Sequence, residues 1–221
     1  MGPTPVDSPL EYLKPVVPHG FDTLICPEVE CTAQPRQHRQ GQPCSSHARC
    51  GGTLQRAVFL SKLQSLSYGI SNEQPAVHRY VSVMKTRGHD VEAFRRGLVV
   101  DPSCPWLGAS PDRLIFDPSE TPMHGLLEVK CPYSQKGKSV SQIAEPFYMV
   151  KGHQDIFRLD RSHDYYFKVL GQMALAGLSW TDFAVFSDPF MIVERIRFCE
   201  QDWAVARPKL DNFSFLFCCL I

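Results

Sequence analysis

The sequence predicts an α/β protein with a mixed central sheet flanked by helices. Two observations carry this. Stretches with apolar residues at helical spacing alternate with short apolar runs closed by proline or glycine. In chain order they give a helical opening, three strands, a helix, two strands and a closing helix, which places helices over a sheet rather than building a bundle or a sandwich. The 221 residues suit one domain with an extra arm, and a hydrophobic content of 43% supplies a core.

Residues 1–55 differ from the rest. Eight of the 18 prolines precede residue 50, and Cys31 to Asn72 holds no acidic residue while carrying Arg36, Arg39, Arg49, Arg56 and Lys62. The stretch reads as a solvated, partly disordered leader. Its alternative is a basic arm laid on a phosphate backbone, with Arg36 and Arg39 as the DNA contacts. Cys26, Cys31, Cys44 and Cys50 contain no C-x-x-C pair, which argues against a zinc module.

Residues 56–221 read as the globular domain. “LQRAVFLSKLQSL” is a first helix. A second starts after “YGI”, where Ser71 and Gln74 have capping-box spacing and Pro75 fits a first turn; Ala76, Val77, Tyr80, Val81 and Met84 then form its stripe. “EAFRRGLVV”, “RLIFD” and “GLLEVKC” read as strands, each closed by a proline. “DYYFKVLGQMALAGL” is a helix with Tyr165, Val169, Met173 and Ala176 along its apolar side. “DFAVFS” and “MIVERIRF” are two further strands, and Glu200 to Phe217 is a helical region interrupted near Pro208.

Lys plus Arg (23) equals Asp plus Glu (23), so a polyanion would have to be met by a local patch rather than by net charge. No apolar signal peptide opens the chain and no run of about 18 apolar residues marks a membrane span. The nine cysteines then read as free thiols. The expectation is an intracellular protein, nuclear or cytoplasmic, neither secreted nor membrane-bound.

The chemistry concentrates in “GLLEVKCP”. Side chains alternate along a strand, so Glu128 and Lys130 share one face, while Leu127, Val129 and Cys131 share the other. A buried charge needs a partner or a metal. Upstream, “WLGASPDRLIF” places Asp112 at the mouth of the preceding strand. A hairpin around “PSETPMH” would bring Asp112 beside Glu128, with Lys130 next to them. Two carboxylates suit a hard divalent cation such as Mg²⁺. The competing reading is a solvated surface pair of little energetic value. Trp106 reads as packing, His124 as a loop residue, and Cys131 as a buried thiol without an activating base.

“LGASPDRLIF” followed by “GLLEVKCP” resembles two motifs of the PD-(D/E)XK nucleases, and more narrowly the YqaJ-type viral recombinase group that includes phage lambda exonuclease. “YGISNEQPAVHRY” is similar to that family's helix entry, whose acidic residue falls on Glu73. “HDYYFKVLGQMALAG” is similar to its Tyr- and Gln-rich helix, which falls on Gln172. The resemblance runs from about Leu63 to the C-terminus.

The resemblance implies a PD-(D/E)XK restriction-endonuclease-like core. It implies Mg²⁺-dependent hydrolysis of DNA phosphodiester bonds, with Mn²⁺ as a substitute ion, commonly 5′-to-3′ from duplex ends. Asp112 and Glu128 would then ligate the metal, and Lys130 would hold the attacking water or stabilise developing charge. Glu73 would bind a second metal or orient water, the Val129 carbonyl would complete a metal shell, and Gln172 would steady Lys130 or the phosphate. A homo-oligomer, trimeric in the resembled family, is also implied. Lys168 and Leu170 stand where the family helix carries further Gln. Lys168 lies one turn before Gln172, shares its face, and is a candidate DNA-phosphate contact. The family's DNA-gripping segment ahead of “YGI” has no counterpart in the leader. Two functions therefore stand open: a DNA nuclease, or a nuclease-like fold that binds DNA or a protein without cutting. A glycoside hydrolase built on paired carboxylates gives Lys130 no role.

Overall fold

The structure, a computed structural model, describes residues 23–27, 52–143, 147–152 and 156–218. Along the chain come β1 (Thr23–Pro27), α1 (Gly52–Thr86), β2 (Glu92–Arg95), β3 (Val99–Asp101), β4 (Cys104–Ala109), β5 (Arg113–Phe116), β6 (His124–Lys130), β7 (Met149–Lys151), β8 (Phe157–Leu159), α2 (Asp164–Ala176), β9 (Trp180–Ser187), β10 (Phe190–Arg197) and α3 (Glu200–Cys218). Six strands form the central sheet in the order β1–β10–β9–β6–β5–β2. The β6–β9 pair is parallel and the other neighbours are antiparallel. The sheet is therefore mixed, as the element order predicts. β3–β4 and β7–β8 form two separate hairpins.

The sheet separates two cores. On one face α1 contributes Ala76, Val77, Tyr80, Val83 and Met84, packed on Ile115, Leu127, Val129, Trp180, Ala184 and Val193. On the other, α2 contributes Tyr166, Val169, Leu170 and Met173, packed on Leu126, Phe183, Val185, Ile192 and Ile196 together with the β7–β8 hairpin. β9 lies inside the sheet and is buried along its whole length, so it shows no apolar–polar alternation; its central residues, Phe183 to Phe186, are apolar on both faces. The α2 helix starts at His163, whose Nδ1 accepts from the Tyr165 backbone N–H at 3.1 Å. It ends at Gly177, which adopts the left-handed φ of 65° that a helix C-terminus favours in glycine.

Three elements differ from expectation. The two opening helices are one continuous helix, α1. Pro75 lies on its exposed side, and exposed Ser71, whose carbonyl loses the proline's missing donor, faces water there. The buried stripe from Ala76 onward then has no reason to break the helix. “EAFRRGLVV” divides into β2, which joins the main sheet, and β3, which pairs with β4. The interruption between them, Arg96 to Leu98, is where the chain leaves the sheet. Finally, β1 lies within the stretch read as leader and forms the sheet edge against β10, Thr23 opposite Glu194. Candidate contacts Arg36 and Arg39, and the leader cysteines Cys31, Cys44 and Cys50, lie outside the described residues.

Gly125 at the head of β6 answers to Trp180. A Cβ at this position would fall 2.2 Å from the indole ring. The ring is fully buried, its Nε1 donates to the Pro122 carbonyl at 2.8 Å, and the Arg195 guanidinium lies 4.0 Å from its centroid. A side chain at 125 has no space that this ring can vacate.

Candidate active site

β6 divides its faces as the alternation predicts. Leu127 and Val129 enter the α1-side core with Cys131 packed against it; Leu126 enters the α2-side core, the side to which Glu128 and Lys130 also belong. The predicted hairpin is present: β5 pairs with β6 so that Arg113 lies opposite Leu127. Extending that register by one residue sets Asp112 opposite Glu128. The Val129 backbone N–H donates to Asp112 Oδ2 at 2.7 Å, tying the turn to the strand.

Glu128 is fully buried, and its neighbours come from two elements. Lys130, two residues along β6, and Lys168, from α2, both donate to Oε1. Gln172, one turn beyond Lys168, donates its Nε2 to Oε2 at 2.8 Å and also reaches the Ser110 carbonyl at 3.3 Å. Gln172 thus steadies Glu128 and the turn before Asp112; Lys130 is not its partner. An amide in the buried stripe of a helix needs such acceptors to offset its desolvation. Lys130 also lies over the Tyr165 ring, 4.8 Å from its centroid. Tyr165 entered the sequence reading only as part of an apolar stripe, although its position three residues before Lys168 places it on the same helical face.

These groups open on a cleft of about 400 Å³ lined by Glu73, Asp112, Glu128, Lys130, Tyr165 and Lys168, among others. Glu73, on α1, is paired with Arg113 Nη1 at 3.0 Å, and Arg113 Nη2 also meets Gln74 Oε1 at 2.7 Å. His124 is the first residue of β6 rather than a loop residue; it is exposed and packs against Phe116 with ring centroids 5.3 Å apart.

The two central carboxyls sit in opposite electrostatic states. Burial and the adjacent Glu128 charge push Asp112 up to about 6, against the lowering effect of the Val129 N–H. Burial alone would raise Glu128 too, but Lys130 and Lys168 hold it below the ordinary carboxylate range. Burial opposes the charge on Lys130, yet Glu128 and Asp112 keep it above the usual lysine value. Burial, with the Asp112 and Glu73 charges, pushes the Cys131 thiol up to about 12, which makes it a poor nucleophile as expected.

Among the described residues no group of three or more His, Cys, Asp and Glu side chains forms a metal cage. The donor set nevertheless fits one hard cation. Asp112 and Glu128 offer oxygen, Mg²⁺ asks for only one or two carboxylates, and the raised Asp112 marks negative charge without a full partner. No hydrogen bond from the described residues reaches Asp112 Oδ1.

The chain is similar to crystal structures of LHK-Exo. One, in complex with dAMP, shares 22% identity with a TM-score of 0.48, covering 68% of this chain and 66% of that one, just under two thirds of its length. The other, described as an alkaline exonuclease from Laribacter hongkongensis, shares 19% identity with a TM-score of 0.41, covering 71% of this chain and 76% of that one. No curated protein matches the chain. Among family models, residues 23–179 match the YqaJ-like viral recombinase domain, a span from the edge strand β1 past α2 that includes every residue of the cleft. The hairpin of Asp112 and Glu128, the Lys130 beside them and the Gln172 helix that closes over them are thus parts of a chain that belongs to the YqaJ-like viral recombinase domain family.

Proposed function

We propose that the protein is a Mg²⁺-dependent DNA nuclease, active as a 5′-to-3′ exonuclease on duplex ends. The observation that supports it most is the placement of Asp112 opposite Glu128 in one cleft with Lys130. Asp112 and Glu128 would hold the ion, which when bound lowers the pKa of a water and offsets charge on the phosphate. The protein's own groups do the positioning. Gln172 fixes the Glu128 carboxylate, and the Val129 N–H fixes Asp112. Lys130, kept charged by Glu128 and Asp112, presents an ammonium toward negative charge developing on a scissile phosphate. Lys168 offers a second cation at the same point.

The test is cleavage of end-labelled duplexes with 5′-phosphate or 5′-hydroxyl ends in Mg²⁺ or Mn²⁺. Wild-type protein is expected to shorten them. Asp112→Asn, Glu128→Gln and Lys130→Ala should each lower the rate by about a hundredfold or more while the fold is retained. Wild-type protein that cuts no linear duplex, single strand or plasmid would refute the proposal.

One observation favours a second reading, a nuclease-like fold that binds DNA without cutting. Two ammonium groups meet on Glu128 Oε1, where a metal ligand would otherwise act. Calorimetry separates the readings: Mn²⁺ binding that Asp112→Asn abolishes supports the nuclease, and no Mn²⁺ binding supports the binder.

A further inference from the structure

A second cavity shares Lys168 with the cleft. It encloses about 760 Å³ between the β3–β4 hairpin, α2 and α3. Its walls carry three aromatic rings, Trp106, Phe167 and Trp203, and two lysines, Lys168 and Lys209. Asp164 lies on the wall as well.

Two features distinguish it from an ordinary apolar hollow. First, Trp106, read from sequence as packing, is 53% exposed and Phe167 is 39% exposed. Trp106 is nonetheless held: its Nε1 donates to Asp211 Oδ1 at 3.3 Å, and Arg207 Nε donates to the same carboxylate at 3.1 Å. A fixed, exposed indole is a preformed stacking surface. Second, the lysines suit a ligand that carries phosphate next to a flat ring.

We propose that this cavity binds a nucleobase of the DNA strand whose phosphate lies in the cleft, stacking it on the exposed Trp106 and Phe167 rings. The inference rests on the nuclease reading and adds a subsite to it. Each of the four bases has a π-face, so the subsite tolerates any sequence. Its occupant is an unpaired nucleotide, because a base stacked in a duplex has no free face.

The experiment measures binding of duplexes bearing an abasic residue at one of the first three nucleotides of either strand, with Ca²⁺ in place of Mg²⁺. At one position, loss of the base is expected to weaken binding to the wild-type protein roughly tenfold, as for one stacked base. Trp106→Leu and Phe167→Leu, both at exposed positions, should reduce that penalty to less than about twofold. Cleavage or binding of DNA with no base dependence at any position overturns the subsite alone, as does a full penalty retained in both variants. DNA neither bound nor cut overturns the nuclease reading and the subsite with it.

Discussion

Replacing Arg195 by Leu should remove a large part of the protein's stability. The guanidinium is fully buried. Its Nε and Nη2 donate to the two oxygens of Asp182, both at 2.7 Å, and its Nη1 reaches Asp117 Oδ2 at 3.0 Å and Glu120 Oε1 at 2.7 Å. Without it, three buried carboxylates lose their shared cation. Tyr80, Ser119 and Arg197 would still hydrogen-bond Asp182, Asp117 and Glu120 in turn, which limits the damage. Breaking a buried ion pair from one side costs about 3–5 kcal/mol, and the surviving partners argue for about 3–4. A urea m-value of about 2 kcal/mol/M turns that into a midpoint lowered by about 1.5–2 M at pH 7.5, read by circular dichroism. The pH dependence has a definite sign. Burial would raise Asp117, but Ser119 and Arg195 hold it below its ordinary value. A carboxyl depressed in the fold contributes stability above its unfolded pKa and loses it as pH falls through the folded one. The variant lacks much of that contribution, and its stranded carboxylates are relieved by protons. The gap between variant and wild type should therefore narrow as pH falls below the unfolded Asp value of about 3.9. A loss below about 1 kcal/mol, or a gap that widens on acidification, would refute the reasoning.

Three further outcomes are expected. Gly125→Ala should cost about 1–3 kcal/mol or more in urea unfolding, because the new methyl meets a buried Trp180 ring held by the Pro122 carbonyl and Arg195; an unchanged midpoint would show that the ring can move. Lys168→Gln should weaken DNA binding at every sequence and lower the slope of log affinity against log salt by about 1, as for one lost phosphate contact; an unchanged slope would confine Lys168 to its pairing with Glu128. In the folded protein at pH 8, Cys131 should resist iodoacetamide, since its thiol is pushed up to about 12. Rapid labelling at Cys131, mapped by mass spectrometry, would contradict that environment.

The candidate site was legible from sequence wherever the signal was local. Strand alternation separated Glu128 and Lys130 from Leu127 and Val129, and proline and glycine punctuation bounded β5 and β6, so the Asp112 turn followed from the hairpin. Helical spacing put Lys168 and Gln172 on one face of α2. What was not legible depended on contacts between distant residues. β7 and β8 are three residues each, too short to mark themselves, and β4 holds Pro105 and Gly108, which disfavour a strand. Pro75 looked like a helix start because local preference places proline in a first turn, whereas tertiary packing of the following stripe kept α1 whole. Arg195 and Asp182 sit in apolar strands far along the chain from Asp117 and Glu120, and no spacing rule joins them.

By itself the sequence determined the α/β class, the order of most elements, the two-faced strand “GLLEVKCP” and the carboxylate that meets it from the preceding turn. Each of these follows from periods of two or of three to four residues, which act over a few neighbours. The tertiary structure alone decided the electrostatic state of the site: Glu128 gathers two lysines and stays ionised, while Asp112, with less compensation, is pushed up to about 6. It also decided that Gln172 serves Glu128 and the Ser110 carbonyl rather than Lys130. The reason is physical. Burial and Coulomb interaction depend on separations in space, and the separations that matter here join residues 40 and 44 positions apart along the chain.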